Sequence, residues 1–291
     1  MTINEHEDEY LGIASPAGAN LVAVPQSSTP QELENPLPLF SEAIIETRSL
    51  SVAFSSTLVL DAITVEIPRG AVTALIGPTG SGKSTLLRTF NRMHDRVVGF
   101  EHEGDVLLDN ASIFAPGVDL LTLRKNVGML FQRPNPFPMS IRDNVVAGVK
   151  AHRMAKKKQF DAIAEEHLTR VGLFDAVKDR LSGSPFSLSG GQQQLLCLAR
   201  ALAVAPTVLL LDEPTSSLDP ATTERIESLI ETLIPEITVV IVTHNLGQAR
   251  RVSSRTILLQ TGALVEEGPT SAIFDAPSSD ITARYVSGQF A

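Results

Sequence analysis

Gly77-Pro78-Thr79-Gly80-Ser81-Gly82-Lys83-Ser84 follows an apolar run at 71–76 and leads into a helical pattern over 83–91. It is a complete G-x-x-x-x-G-K-[ST] pattern, set between a strand and a helix start as a phosphate-binding loop requires. Its glycines let backbone N–H groups turn inward around the β- and γ-phosphates of a nucleoside triphosphate with no Cβ in the way. Lys83 adds a point charge for the same oxygens, and the Ser84 hydroxyl is a ligand for Mg2+. The helix that starts here aims the positive end of its dipole at those anions. Gly77, Pro78, Thr79, Gly80, Ser81, Gly82, Lys83, Ser84 and Thr85 are therefore the candidate nucleotide-binding residues.

Downstream, Val208-Leu209-Leu210-Leu211 reads as a buried strand and ends in Asp212-Glu213. A helix N-terminal cap would also use such carboxylates, but the apolar run before them argues for the end of a strand beside the phosphate loop. Asp212 suits the Mg2+ shell, directly or through water, and Glu213 suits the general base for an attacking water. Gln132 is placed at the end of an apolar strand within 123–132, where its amide can reach Mg2+ or that water; this assignment rests on position alone. His244 follows a second buried strand at 238–243. A lone histidine is more often structural, but the Val-Thr-His context at the strand end favours the γ-phosphate side of the site.

Leu188-Ser189-Gly190-Gly191-Gln192 opens a helix that runs to residue 203. A glycine-bearing helix N-terminus is a second anion site, in a chain that already has a phosphate loop. The economical resolution is a head-to-tail dimer in which each such turn caps the γ-phosphate held by the other copy. Asp219 is placed at that seam.

The rest of the chain bounds these readings. It has 291 residues, 43% hydrophobic and 20% charged, with a formal net charge of −9 and no basic stripe, which argues against a nucleic-acid partner. Lys156-Lys157-Lys158 is too short to alter this and reads as a solvated helix face. The single cysteine, Cys197, lies among leucines and reads as a small buried apolar residue rather than a reactive thiol. Residues 1–10 are acidic without a basic and apolar leader pattern, and no apolar run reaches the roughly 18–20 residues that span a bilayer. A cytoplasmic protein that meets a membrane only through a partner is expected. Residues 1–42, acidic and then proline-rich, read as a disordered tail.

From Ala43 the pattern is that of a folded domain, 43–291. Strands are expected at 44–52, 58–67 and 104–109, the first two joined at Ser55-Ser56. Residues 123–132 lead into the connector Arg133-Pro134-Asn135-Pro136-Phe137-Pro138. Residues 141–181 are mostly helical by period and mark a helical subdomain at about 133–190. A helix at 221–234 and a hairpin from 257–260 and 263–267 around Thr261-Gly262 complete the pattern. Apolar strands alternating with helices predict an α/β fold: a P-loop NTPase core with a mostly parallel sheet, an antiparallel β subdomain and a helical subdomain.

Taken together, these stretches resemble the nucleotide-binding subunits of ABC transporters, from about Ala43 onward. Within that family the pattern is most similar to the ATP-binding subunits of bacterial phosphate importers. Arg88-Thr89-Phe90-Asn91-Arg92-Met93, the stretch from Phe131 to Ile141 around the prolines, and Gln192-Gln193-Gln194 carry the similarity. The resemblance implies ATP and Mg2+ as cofactors and Phe54 as the ring that stacks on adenine. It implies Ser189, Gly190, Gly191, Gln192 and Asp219 as nucleotide contacts across a homodimer. It further implies two membrane permease subunits, a phosphate-binding protein acting indirectly, and a place at the cytoplasmic face of the membrane. Leu195 departs from the family, which generally has arginine there; with Leu198, Ala199 and Leu202 it shares an apolar helical face. An importer for another solute and a non-transport ABC ATPase are the alternatives. Chromosome-maintenance ATPases need a long coiled coil between the phosphate loop and the signature, and the chain has no room for one there.

Overall fold

The computed structural model of the protein describes residues 42–289. The tail expected at 1–42 therefore lies, except for Glu42, outside the described residues. Along the chain run β1 (Ala43–Phe54), β2 (Thr57–Ile63), β3 (Glu66–Pro68), β4 (Val72–Ile76), α1 (Lys83–Thr89), β5 (Phe100–Leu108), β6 (Ala111–Ser112), α2 (Leu120–Asn126) and β7 (Val127–Leu130). A helical stretch follows, with α3 (Ile141–Val145), α4 (Ala147–Ala151), α5 (Phe160–Arg170), α6 (Phe174–Val177) and α7 (Gly190–Leu202). Then come β8 (Val208–Asp212), α8 (Pro220–Leu233), β9 (Thr238–Val242), α9 (Leu246–Val252), the hairpin β10 (Arg255–Gln260) and β11 (Ala263–Pro269), α10 (Thr270–Asp275) and α11 (Asp280–Val286).

Two sheets organise these elements. One has the order β11-β10-β4-β9-β8-β7, parallel throughout except for β11 at its edge. The other is antiparallel, β2-β1-β5-β6 with β3 also on β1. Every residue of β4, β8 and β9 is buried. Alternation along a strand sends neighbouring side chains to opposite faces. Leu209, Leu211, Val239 and Ile241 accordingly join one apolar core, with α7 and α8 residues such as Leu196 and Ile230. Val208, Leu210, Val240 and Val242 join the other, with Leu86 of α1 and Val52 and Leu60 of the antiparallel sheet. The parallel sheet is thus the partition between two cores, which is why its strands read as unbroken apolar runs.

Three sequence expectations are corrected. The strand expected at 58–67 is two strands, because the Thr47 hydroxyl of β1 breaks the ladder: it donates to Ile63 O and accepts from Val65 N–H, both at 2.9 Å. The helical pattern from Lys83 ends at Thr89, and Arg92 turns the chain with φ +56. The strand expected to end at Gln132 is only β7, ending at Leu130. Asp119 caps α2 by accepting from Leu121 N–H and Thr122 N–H, which gives 120–126 to a helix. The helical stretch is also more broken than its period suggests. Ser140 caps the first of its short helices by accepting from Asp143 N–H.

Leu210 is 0% exposed in β8, between β9 and β7 of the parallel sheet. Leu210→Ala should lower the unfolding free energy by about 2–5 kcal/mol. The measurement is the urea midpoint at unchanged slope. A loss under about 1 kcal/mol would contradict packing from the second core.

Candidate active site

Strands β4, β8 and β9 lie side by side, and the candidate residues follow their C-terminal ends, where ligands of open parallel sheets sit. The loop after β4 starts at Gly77, with φ +141. A Cβ there would fall 2.0 Å from Leu259 O, so no other residue fits. Gly77 N–H donates to the Tyr285 hydroxyl of α11 at 3.2 Å. Gly82, at φ +95, is the N-cap of α1. Together with Val59 and Glu213, residues 79–85 line a cavity of about 230 Å³.

Lys83 is held inside this loop. Its Nζ donates to Gly77 O at 2.8 Å and Pro78 O at 2.7 Å, and lies 3.4 Å from Ser81 Oγ. Burial lowers the ammonium pKa below its ordinary value, while the charges of Glu213 and Asp212 work against that shift. Asp212, at the end of β8, is 2% exposed. Ser84 Oγ donates to its Oδ1 at 2.7 Å, and Arg88 Nη2 and Nε donate to its Oδ2 at 2.7 and 3.1 Å. Arg88 was not among the candidates. The signal for it was helical spacing, since it stands four residues after Ser84 on the same face of α1.

Glu213 is the meeting point of three strand ends. Its Oε2 accepts from Gln132 Nε2 at 2.8 Å and lies 3.3 Å from His244 Nδ1. Gln132 Nε2 also lies 3.4 Å from Ser216 Oγ. The structure therefore joins Gln132 to the carboxylate expected to act as base, not to the Ser84–Asp212 pair expected to hold a metal. His244 is 62% exposed, so its free ring edge faces open space rather than the core.

The signature residues form a second cluster. Ser189 Oγ accepts from Gln192 N–H at 3.3 Å and Gln192 Oε1 accepts from Ser189 N–H at 3.1 Å, a reciprocal cap on α7. A Cβ on Gly190 would meet nothing, whereas one on Gly191 would stand 3.1 Å from Thr222 Oγ1. Asp219 is tied up locally: it caps α8 through Thr222 N–H at 2.9 Å and the Thr222 hydroxyl at 2.7 Å. None of Ser189, Gly190, Gly191, Gln192 or Asp219 lines the loop cavity.

Phe54, at the end of β1, packs edge-on against His94, with ring centres 5.1 Å apart at 77°. His94 Nε2 in turn donates to Thr85 O at 3.2 Å, linking the Phe54 ring to the phosphate-loop helix. No sequence pattern flagged His94, because its two partners lie on different elements.

The chain matches the ABC transporter family over residues 60–216. It is 62% identical over 236 residues to the phosphate import ATP-binding protein PstB of Mycobacterium intracellulare, covering 81% of this chain and 82% of that protein. The chain belongs to the ABC transporter family. Among solved structures, this ABC chain is similar to cbiO1 of Clostridium perfringens, part of the ABC transporter complex cbiONQ. The TM-score is 0.69 at 26% identity, over 81% of this chain and 92% of that one. It is also similar to a dimeric ATP-binding cassette in a post-hydrolysis state bound to ADP and Pi, with a TM-score of 0.68 at 28% identity, over 78% of this chain and 98% of that one. The family explains the two clusters as parts of one cassette that binds and hydrolyses ATP. Among the described residues of the cassette, no helix is long and apolar enough to cross a membrane.

Burial lowers the His94 imidazole pKa below its ordinary value, and Arg88 adds to this, while the bond to Thr85 and the charge of Asp95 work against it. Burial likewise lowers His102 and His167. With folded-state values depressed, the unfolded chain binds more protons below pH about 6.5, so stability falls as pH falls through that window. His94→Gln should make the decline in urea midpoint between about pH 6.5 and 5 shallower. An equally steep decline in the variant would contradict the burial effect at His94.

Proposed function

We propose that this chain is the ATP-hydrolysing subunit of a phosphate importer, and that two copies drive a pair of membrane permease subunits. The likeness to a phosphate import ATP-binding protein at 62% identity supports the solute. The single observation that carries the chemistry is Glu213, which lines the loop cavity and holds both Gln132 and His244 on one carboxylate oxygen. A partly buried acceptor that still lines the cavity, with two oriented neighbours, is what a general base for water needs.

The phosphates belong in the cradle of residues 77–85. Lys83 is already aimed there by three acceptors of the loop and balances the β- and γ-phosphate charge. Mg2+ fits the pairing of Ser84 Oγ with Asp212 Oδ1 at 2.7 Å. One hydroxyl and one carboxylate suffice for an ion that takes the rest of its shell from phosphate and water. Among the described residues there is no group of three or more His, Cys, Asp or Glu that could hold a metal. When bound, the ion neutralises charge on the β- and γ-phosphate oxygens. Glu213 takes the proton of the attacking water, Gln132 holds the carboxylate in place, and His244 donates toward the γ-phosphate. Phe54, braced by His94, stacks on adenine.

Ser189 to Gln192 form an N-terminal anion site with Asp219 beside it, and a facing copy completes the site. The dimeric cassette with ADP and Pi supports that arrangement. The catalytic domain is 43–291, with a helical subdomain at about 133–190 and residues 1–42 as an extension. A phosphate-binding protein acts outside the membrane, and this subunit sits peripherally at the cytoplasmic face.

Docking to the permease falls on the exposed apolar rim of Phe137, Met139 and Phe186, which are 42%, 41% and 59% exposed. Met139 and Phe186 flank a cleft of about 360 Å³ with Ser140 and Ser182. The neighbouring charges are engaged within the subunit, Asp143 by Lys150 at 2.6 Å and Arg142 by Asp161 at 3.1 Å. On the chain reconstituted with its permease and binding protein, phosphate should stimulate ATP hydrolysis, and Phe186→Glu should abolish that stimulation. Stimulation by another solute, with phosphate inert, would move the reading to a different importer.

Glu213→Gln keeps the size of the side chain and removes its basicity, so hydrolysis should slow by roughly 10²–10⁴-fold while ATP still binds. The variant should accumulate as an ATP-bound dimer by light scattering over a concentration series, and Ser189→Arg should abolish that dimer. A strictly monomeric protein with ATP demonstrably bound would count against the shared site.

A further inference from the structure

Gln194 of α7 is 0% exposed. Its Nε2 donates to Phe131 O at 2.9 Å and to Pro214 O at 3.3 Å, so both N–H bonds of one amide are engaged by main-chain carbonyls. Phe131 immediately precedes Gln132 and Pro214 immediately follows Glu213. Those two side chains meet at 2.8 Å. We infer that Gln194 is the positioning residue that sets Gln132 against Glu213, gripping the backbone beside each of them from within the core. The inference rests on the reading of Glu213 as general base.

Two further observations point the same way. Glu213 has φ +46, a left-handed conformation that a residue with a Cβ keeps only where its surroundings over-determine it. Its N–H donates to Val242 O at 2.9 Å, and Gln194 takes hold one residue later. The Gln194 Oε1 atom is buried and accepts no hydrogen bond among the described residues. A buried amide with an idle acceptor packs worse than the leucines beside it at 195 and 196, so its donor end accounts for the residue. The same helix carries Ser189 and Gly190 at its start.

The test uses the full-length chain, with ATP turnover, nucleotide affinity and melting temperature measured on each variant. Gln194→Met keeps the volume and removes both donors. A displacement near 1 Å at a reacting group costs on the order of 10²-fold, so kcat should fall by that order while the nucleotide Kd stays within about threefold. In a Gln132→Ala background the same change should alter kcat by less than about twofold, because its effect passes through the pair. Equal losses in both backgrounds, or a loss of affinity matching the loss of kcat, would mean a merely structural role and overturn the inference. If Gln194→Met does not fold, Gln194→Asn keeps the amide but draws it back by one methylene, and a comparable fall in kcat is expected. Wild-type kcat in either folded variant overturns the inference. Glu213→Gln separates the two layers. Full activity there removes the general-base reading itself, whereas an inert Glu213→Gln beside an active Gln194→Met removes only the role of Gln194.

Discussion

A carboxylate as deeply buried as that of Asp212 persists only with partners, and the geometry of this molecule follows from which partners it has. Ser84 and Arg88, one turn apart on α1, close on its two oxygens. They fix both the height and the roll of α1 against the end of β8. Lys83, the first residue of that helix, and the glycine turn that leads directly into it inherit that setting. The next residue after Asp212 is Glu213, so the glycine-rich loop and the carboxylate that lines its cavity are referenced to one strand end.

The partition formed by the parallel sheet gives each part of the cassette its own support. On one side α1 is backed by Leu86, Leu87 and the antiparallel sheet that carries Phe54. On the other, the signature helix is backed by the helical stretch, through residues such as Leu168, Leu196 and Leu198. Helices α1 and α7 therefore rest on different cores. Leu195 is 3% exposed within the core that α7 shares with α8. Its side chain is accommodated there by apolar packing.

Much of this was legible from local pattern. The phosphate loop, β8 with its two carboxylates, the hairpin at Thr261-Gly262 and the start of α7 each depend on residues close in sequence, and their positions follow from turn chemistry and apolar period. What escaped depends on partners far apart. Nothing near Thr47 announces that its hydroxyl divides a neighbouring strand. Position alone puts Gln132 near Mg2+ or the attacking water, and what position does not announce is that its amide donates to a carboxylate 81 residues away. His94 carries no motif, because it acts by touching one ring and one carbonyl on separate elements.

The bond from Gly77 N–H to the Tyr285 hydroxyl spans 208 residues. It joins the first residue of the phosphate loop to the last helix of the fold. During synthesis the loop, its strand and α1 emerge early, while this partner emerges only after β10 and β11 have been made. A nascent chain thus carries a legible nucleotide motif long before it carries a finished one. The order of translation itself withholds the last hydrogen bond of the loop until nearly the whole domain can fold around it.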